Sequence, residues 1–290
     1  MSEAKPTIGF VGTGVMGKSM ARRLIEADYP MNIYTRTYSK AEELLAIGAE
    51  WKDSVKSLAQ ASDIVITMVG YPQDVEEVYF GEDGLIANVR PSTYLIDMTT
   101  SSPDLAREIA DLAGERDVHV LDAPVSGGDI GAKNGKLSIM VGGEEKDFNH
   151  VRSLFEILGG QIVLQGPAGA GQYTKMCNQI AIATNMIGVT EALVYAEKAG
   201  LDPDTVLESI SGGAAGSWSL SNLTPRVIKR DFSPGFFVKH FIKDMGIALE
   251  SAEKMDLHLP GLKLAKQMYD RIAVDGEADS GTQALYKYYQ

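Results

Sequence analysis

The sequence predicts an α/β domain with a doubly wound, mainly parallel sheet, followed by an all-α domain, and three features point to it. From residue 7 to about residue 166, short apolar runs alternate with helical patterns, the order that builds parallel strands with crossover helices. Beyond residue 166 only helical patterns occur. Between the two regions lie residues 169–198, GAGQYTKMCNQIAIATNMIGVTEALVYAEK, a stretch without proline that stops just before Gly200, a natural helix C-cap. As a single helix it would be about 45 Å long at ~1.5 Å per residue. The expected domains are therefore 1–166 and 167–290, joined by a long helix and not by a flexible tether.

Composition narrows the function classes. The chain has 290 residues, 44% hydrophobic and 23% charged, as in an ordinary globular protein of one or two domains. No apolar run approaches the ~18 residues of a membrane span, and the first ten residues lack the apolar core of a secretory signal. Cys177 is the sole cysteine, so no intrachain disulfide can form, and a cytoplasmic setting is expected. The net charge of -12 disfavours nucleic acid and anionic membranes as partners, because both need clustered positive charge. A small anionic substrate in a locally basic pocket remains compatible. His119, His150, His240 and His258 are scattered without HxH or HExxH spacing, so no metal site is expected.

The first strand, residues 7–11 (TIGFV), runs directly into Gly12, Thr13, Gly14, Val15, Met16 and Gly17, and a helical pattern follows through Met20, Ala21 and Leu24. A GxGxxG turn between strand and helix is the Rossmann-type dinucleotide signature. Its glycines permit a tight turn, close approach to a pyrophosphate and close helix packing, while the helix N-terminus offers N–H groups. A plain glycine turn is the competing reading. The second strand, residues 31–35, ends at Thr35, Arg36 and Thr37, with no carboxylate to accept from a ribose 2′-hydroxyl. Arginine between two hydroxyls suits a 2′-phosphate, so NADP is the expected cofactor, with NAD the alternative.

Further strands are expected at 63–67, 94–97, 118–122, 137–142 and 161–165, and helices near 39–47, after Pro72 and over 103–113. Ligands collect beyond the carboxyl ends of such strands. Those ends carry Met68, Val69 and Gly70, then Met98, Thr99 and Thr100, then Ser126, Gly127 and Gly128. The last three could present N–H groups and a hydroxyl to a carboxylate, or form a glycine-rich hairpin loop. Later helices are expected from Asp202-Pro203 and over 237–254, 261–275 and 280–288. The middle of the 169–198 stretch is apolar nearly all round and reads as a buried axle. Near its start Gly171, Lys175 and Asn178 share one face. Lysine is rarely buried without a partner or purpose; a surface lysine is the competing reading. Tyr173 stands only two residues before Lys175, so a Tyr-x-x-x-Lys reductase site is ruled out on spacing.

GFVGTGVMG, DAPVSGG, GAGQYTKMCNQ and FIKDMGIAL, in this order over nearly the whole chain, resemble the β-hydroxyacid dehydrogenase family. This group includes 3-hydroxyisobutyrate dehydrogenase, tartronate semialdehyde (2-hydroxy-3-oxopropionate) reductase and glyoxylate or succinic semialdehyde reductases. The resemblance implies Lys175 as the catalytic lysine, Asn178 as a substrate-holding residue, and Ser126, Gly127 and Gly128 as the substrate-carboxylate segment. It also implies that residues 12–17 hold the pyrophosphate, Thr100 lies near the nicotinamide ribose and Lys243 on the cofactor side, with Met68 and Val69 lining the cofactor. Homodimers or homotetramers built largely through the helical part are implied as well. The family's MLP is Met68-Val69-Gly70 here, which puts the local loop shape in question.

The segments DAPVSGGDIGAKNGKLSIMVGG and GGAAGSWSL are similar to those of tartronate semialdehyde reductases, with Trp218 a candidate for setting pocket size. The implied reaction moves a hydride between NADP(H) and a short β-hydroxyacid or acid semialdehyde. Lys175 acts as general acid in reduction and as base in the reverse direction. Burial would disfavour its charged form and an anionic substrate would favour it. A 6-phosphogluconate-type dehydrogenase, an imine reductase or a non-catalytic NADP-binding sensor are the alternatives on the same plan.

Overall fold

The computed structural model describes residues 5–290. They form two compact units that divide between Lys175 and Met176. The first unit is wound in strand–helix order: β1 (Ile8–Val11), α1 (Val15–Glu26), β2 (Met31–Tyr34), α2 (Glu42–Leu45), β3 (Glu50–Trp51), α3 (Val55–Gln60), β4 (Ile64–Thr67), α4 (Pro72–Tyr79), α5 (Leu85–Asn88), β5 (Tyr94–Asp97), α6 (Pro103–Gly114) and β6 (His119–Asp122). Then follow β7 (Val125–Ser126), α7 (Gly128–Asn134), β8 (Leu137–Gly142), α8 (Glu145–Leu158) and β9 (Gly159–Gly166). The sheet order is β3-β2-β1-β4-β5-β6-β8-β7, with β9 paired to β8. The strands from β1 to β6 are parallel, whereas β8 runs antiparallel to β6 and β7.

Side-chain alternation explains why both sheet faces carry helices. Ile8, Phe10, Ile33, Ile64, Ile66 and Ile96 pack with Met20, Leu24 and Phe155 in one core. Val11, Val65 and Leu95 point to the other face, against Leu58, Val75, Leu105 and Ile109. Apolar residues at every strand position mark a parallel sheet covered on both sides.

The second unit contains most of α9 (Ala170–Lys198), then α10 (Pro203–Ser211), α11 (Trp218–Ile228), α12 (Val238–Lys254), α13 (Pro260–Ile272) and a closing 3-10 segment, Thr282–Tyr289. Its core packs Met176, Ala183 and Met186 of α9 against Phe241, Met245, Leu262 and Tyr269. The tail folds back within this unit: Tyr286 is buried and its hydroxyl donates to Glu197 Oε2 at 2.6 Å. None of the helices in the described residues is long and apolar enough to cross a membrane.

Several expectations need correction. The helix expected near 39–47 is a 3-10 turn, Tyr38–Lys40, followed by the single turn α2. The expected axle buries only one stripe, through Gln172, Lys175, Met176, Gln179, Ala183, Met186, Val189 and Leu193. Cys177, Ala181, Thr184 and Gly188, on the opposite face, are exposed in the single chain. The 280–288 helix is 3-10.

Candidate active site

The glycine turn after β1 gives each glycine a separate physical reason. Gly12 has φ +96°, and a Cβ there would lie 2.2 Å from the Met68 carbonyl oxygen. A Cβ on Gly17 would lie 2.0 Å from the Gly12 oxygen, so α1 can approach β1 only without one. Gly14 has nothing within 4 Å of its notional Cβ. It caps α1 without a side-chain bond, and no acidic residue occupies the first turn, so the opening N–H groups keep their positive character. Thr13 is buried with its Oγ1 lacking any hydrogen-bond partner. Because β1 lies between β2 and β4, this turn sits where the strand order reverses, the usual ligand position in such sheets. An open glycine, an orphan hydroxyl and an unneutralised helix start fit a pyrophosphate.

Of the residues after β2, Arg36 is the prominent one. Its side chain is 71% exposed, and Nη1 lies 3.0 Å from Asp74 Oδ1. Asp74 Oδ2 in turn accepts from the Tyr71 N–H at 3.0 Å, so Arg36 is tethered to the start of α4. Thr35 is half-buried and Thr37 exposed.

The ends of β4 and β5 are tied together. The Val69 N–H donates to Thr99 Oγ1 at 3.0 Å, which anchors the loop that lacks the family proline. Gln172, fully buried in the first turn of α9, donates to the Thr99 carbonyl at 2.8 Å and accepts from the Ser101 N–H at 3.0 Å. The loop carrying Thr100 is thereby clamped to the helix carrying Lys175. Asp122 supplies a second clamp, accepting from the N–H groups of Gly169 at 2.7 Å and Gln172 at 2.8 Å. Burial pushes its carboxyl pKa up, and the donated N–H groups partly oppose this. Gly171 belongs to the same packing: a Cβ there would lie 2.4 Å from the Met140 oxygen and 2.6 Å from the Asp122 oxygen. Its place in the glycine–lysine–asparagine stripe is thus a matter of fit against β6 and β8.

Ser126 ends β7 in register with Ser138 of β8. Gly127 (φ +128°) and Gly128 (φ +63°) turn the chain straight into α7, where a hairpin loop was the competing expectation. Lys175 is buried, with 6% of its surface exposed, and so is not a surface lysine. One turn further along α9, Asn178 Nδ2 donates to Gln179 Oε1 at 2.7 Å, and Gln179 Nε2 donates to Asp244 Oδ2 at 2.5 Å. Lys243 Nζ forms an ion pair with Asp244 Oδ1 at 2.8 Å. The second unit thus brings Asn178 and Lys243 together through Gln179 and Asp244.

Residues 7–166 match a family model described as the NAD binding domain of 6-phosphogluconate dehydrogenase. Residues 169–289 match one described as the NAD-binding domain of NADP-dependent 3-hydroxyisobutyrate dehydrogenase. The chain belongs to the β-hydroxyacid dehydrogenase family. An uncharacterized oxidoreductase of Bacillus subtilis (strain 168) is 61% identical over 98% of this chain and 99% of that protein. The 2-hydroxy-3-oxopropionate reductase of Escherichia coli (strain K12) is 41% identical, over 96% of this chain and 95% of its own length. A Mycobacterium tuberculosis 3-hydroxyisobutyrate dehydrogenase, solved with L-serine, superposes with a TM-score of 0.90 at 32% identity, covering 99% of each chain.

As a β-hydroxyacid dehydrogenase, the protein is an oxidoreductase of CH–OH groups that uses a nicotinamide cofactor. Sequence reasoning passed over the residues that orient the expected site residues of this dehydrogenase. Gln172, Gln179 and Asp244 are polar residues at buried helical positions beside Lys175, Asn178 and Lys243, and Asp122 is a buried carboxylate at the end of β6.

Proposed function

We propose that the protein transfers a hydride between NADP(H) and a short acid semialdehyde of the tartronate semialdehyde class, with Lys175 as general acid. The observation that carries this reading is a buried lysine on a helix that Gln172 clamps to the Thr100 loop and Asp122 to the end of β6. When bound, the cofactor supplies or accepts the hydride. The N–H groups at Gly14 and the start of α1 receive its pyrophosphate, with the Thr13 hydroxyl as a further donor. Arg36 exchanges the Asp74 carboxylate for the 2′-phosphate. Arg36 is the exposed member of that pair, and Asp74, with a side chain 15% exposed, keeps the hydrogen bond from the Tyr71 N–H.

Ser126, Gly127 and Gly128 hold the substrate carboxylate, and Asn178 orients the reacting carbon. Lys175 Nζ gives its proton to the oxygen that becomes the alkoxide, and the ammonium stabilises the growing charge before transfer. In the oxidative direction the neutral amine takes the proton back. The test is absorbance-monitored oxidation of NADPH and NADH with glyoxylate, tartronate semialdehyde, methylmalonate semialdehyde and succinic semialdehyde. Turnover of tartronate semialdehyde with NADPH preferred supports the reading. Preference for NADH overturns the role of Arg36. Tight NADPH binding without turnover of any aldehyde overturns the reaction.

A further inference from the structure

We infer that Gln179 is a positioning residue that fixes which way the side-chain amide of Asn178 faces. The inference rests on the proposed role of Asn178 at the substrate. A primary amide can be turned either way, and only its hydrogen-bond partners decide. Here the decision starts at Asp244, a carboxylate with 1% of its surface exposed, which as a base can only accept. Its Oδ2 therefore takes the Nε2 end of Gln179, at 2.5 Å. That leaves Oε1 of Gln179 facing Asn178, and Oε1 can only accept, so it takes Nδ2 of Asn178 at 2.7 Å.

The consequence reaches the ligand side of the amide. With Nδ2 committed, Asn178 offers Oδ1 as its acceptor, which suits a hydroxyl group on the substrate or the new hydroxyl of the product. Reversing Gln179 would reverse Asn178 and put an NH2 where the acceptor belongs. Gln179 is itself 1% exposed, so water cannot substitute for either bond. The Lys243 ammonium lies 2.8 Å from the other Asp244 oxygen, Oδ1, which leaves Oδ2 to Gln179. Gln179 bonds to Asp244, which shares α12 with Lys243 and His240. Desolvation, then the Lys243 charge, pushes the pKa of His240 down.

Two variants of Gln179 test this. Gln179→Met keeps length and removes both bonds. Gln179→Glu keeps an acceptor facing Asn178 whether or not its carboxyl is protonated, and so separates the bond to Asn178 from the bond to Asp244. Kinetics with NADPH and the best aldehyde are measured together with NADPH affinity, melting temperature and hydrogen exchange of the Asn178 side-chain amide by NMR. The expected result for Gln179→Met is a ten-fold or larger loss of kcat/KM, NADPH affinity within two-fold of wild type and at least ten-fold faster exchange at Asn178 Nδ2. Gln179→Glu should keep slow exchange at Asn178 Nδ2 and retain most of the turnover that Gln179→Met loses. Gln179→Met with wild-type kinetics and exchange, or Gln179→Glu with exchange at Asn178 as fast as in Gln179→Met, overturns the relay. A wild type inactive on every aldehyde is the failure of the parent reading. The exchange rate at Asn178 still decides the relay in that case.

Discussion

Replacing Gly12 and Gly14 with alanine separates what the glycine turn does for folding from what it does for binding. At Gly12 the backbone has φ +96°, where an L-residue is strained by about 1–3 kcal/mol. The new Cβ would also lie 2.2 Å from the Met68 carbonyl oxygen and 2.9 Å from its carbon. Both are backbone atoms of the segment leaving β4, so no side chain can swing away, and overpacking of this kind costs about 1–3 kcal/mol more. The sum, about 2–6 kcal/mol, is a large share of the ~5–15 kcal/mol that holds a typical domain together. At Gly14 the situation is the opposite. The φ of -69° is ordinary, and nothing lies within 4 Å of the notional Cβ.

Gly14→Ala should therefore lose no more stability than the ~1 kcal/mol by which alanine is the poorer N-cap, while binding NADPH at least ten-fold more weakly, about 1.4 kcal/mol, if its methyl stands where the phosphates are proposed to approach. Gly12→Ala should lose both stability and binding. Urea titrations followed by circular dichroism, with NADPH binding followed by fluorescence, read both quantities. A Gly12→Ala variant as stable as wild type would refute the steric reasoning. Gly14→Ala with unchanged affinity would show that the turn does not receive the pyrophosphate.

Other predictions follow from single contacts. Arg36→Ala should weaken NADPH binding by about 10- to 150-fold, the loss of a charged hydrogen bond worth ~1.5–3 kcal/mol, and leave NADH affinity unchanged; equal losses for both cofactors would count against a 2′-phosphate role. Gln172→Leu strands the Thr99 carbonyl and the Ser101 N–H in a buried place, at ~1–3 kcal/mol each. Its denaturant midpoint should drop accordingly, and a neutral result would mean that those groups find water. The pKa of Asp231 is held well below the ordinary carboxyl value of 3.8 by the hydrogen bond from Arg226, with further bonds from Ser233. A depressed carboxyl contributes stability above its unfolded pKa and loses it as pH falls towards its folded value. Asp231→Asn should therefore flatten the acid limb of a stability–pH curve below about pH 4, and an unchanged limb would sink this assignment.

Local patterns in the sequence carried the parts of the fold that depend on neighbours along the chain. The TIGFV run, the glycine turn and the helix after it are one continuous segment, and the structure reproduces them as β1, the turn and α1. Strands β4, β5 and β8 were equally legible, because each is a short apolar run bounded by polar or turn residues. Helix α7 was hidden by the two glycines that begin it, and α11 by Pro225 inside it. Helix α3 gave a weaker signal, since its capping box uses Ser57 in place of Glu or Gln. The reversal of β8 and its pairing with β9 are contacts between distant segments, which periodicity does not encode.

The site divides in the same way. Lys175, Asn178, Lys243 and the glycine turn stood out as motif residues. The side chains that hold them were invisible as partners: Asp122 meets Gly169 across 47 residues, and Gln179 meets Asp244 across 65. Only folding shows which buried polar group answers which.

The most direct test of the chemistry is single-turnover NADPH oxidation by Lys175→Ala against the best acid aldehyde, with NADPH affinity measured on the same sample. The expected result is a turnover rate lower by about 10²–10⁴-fold, the usual contribution of a positioned proton donor, with NADPH affinity within two-fold of wild type. Near-normal turnover would contradict the assignment of Lys175 as the general acid.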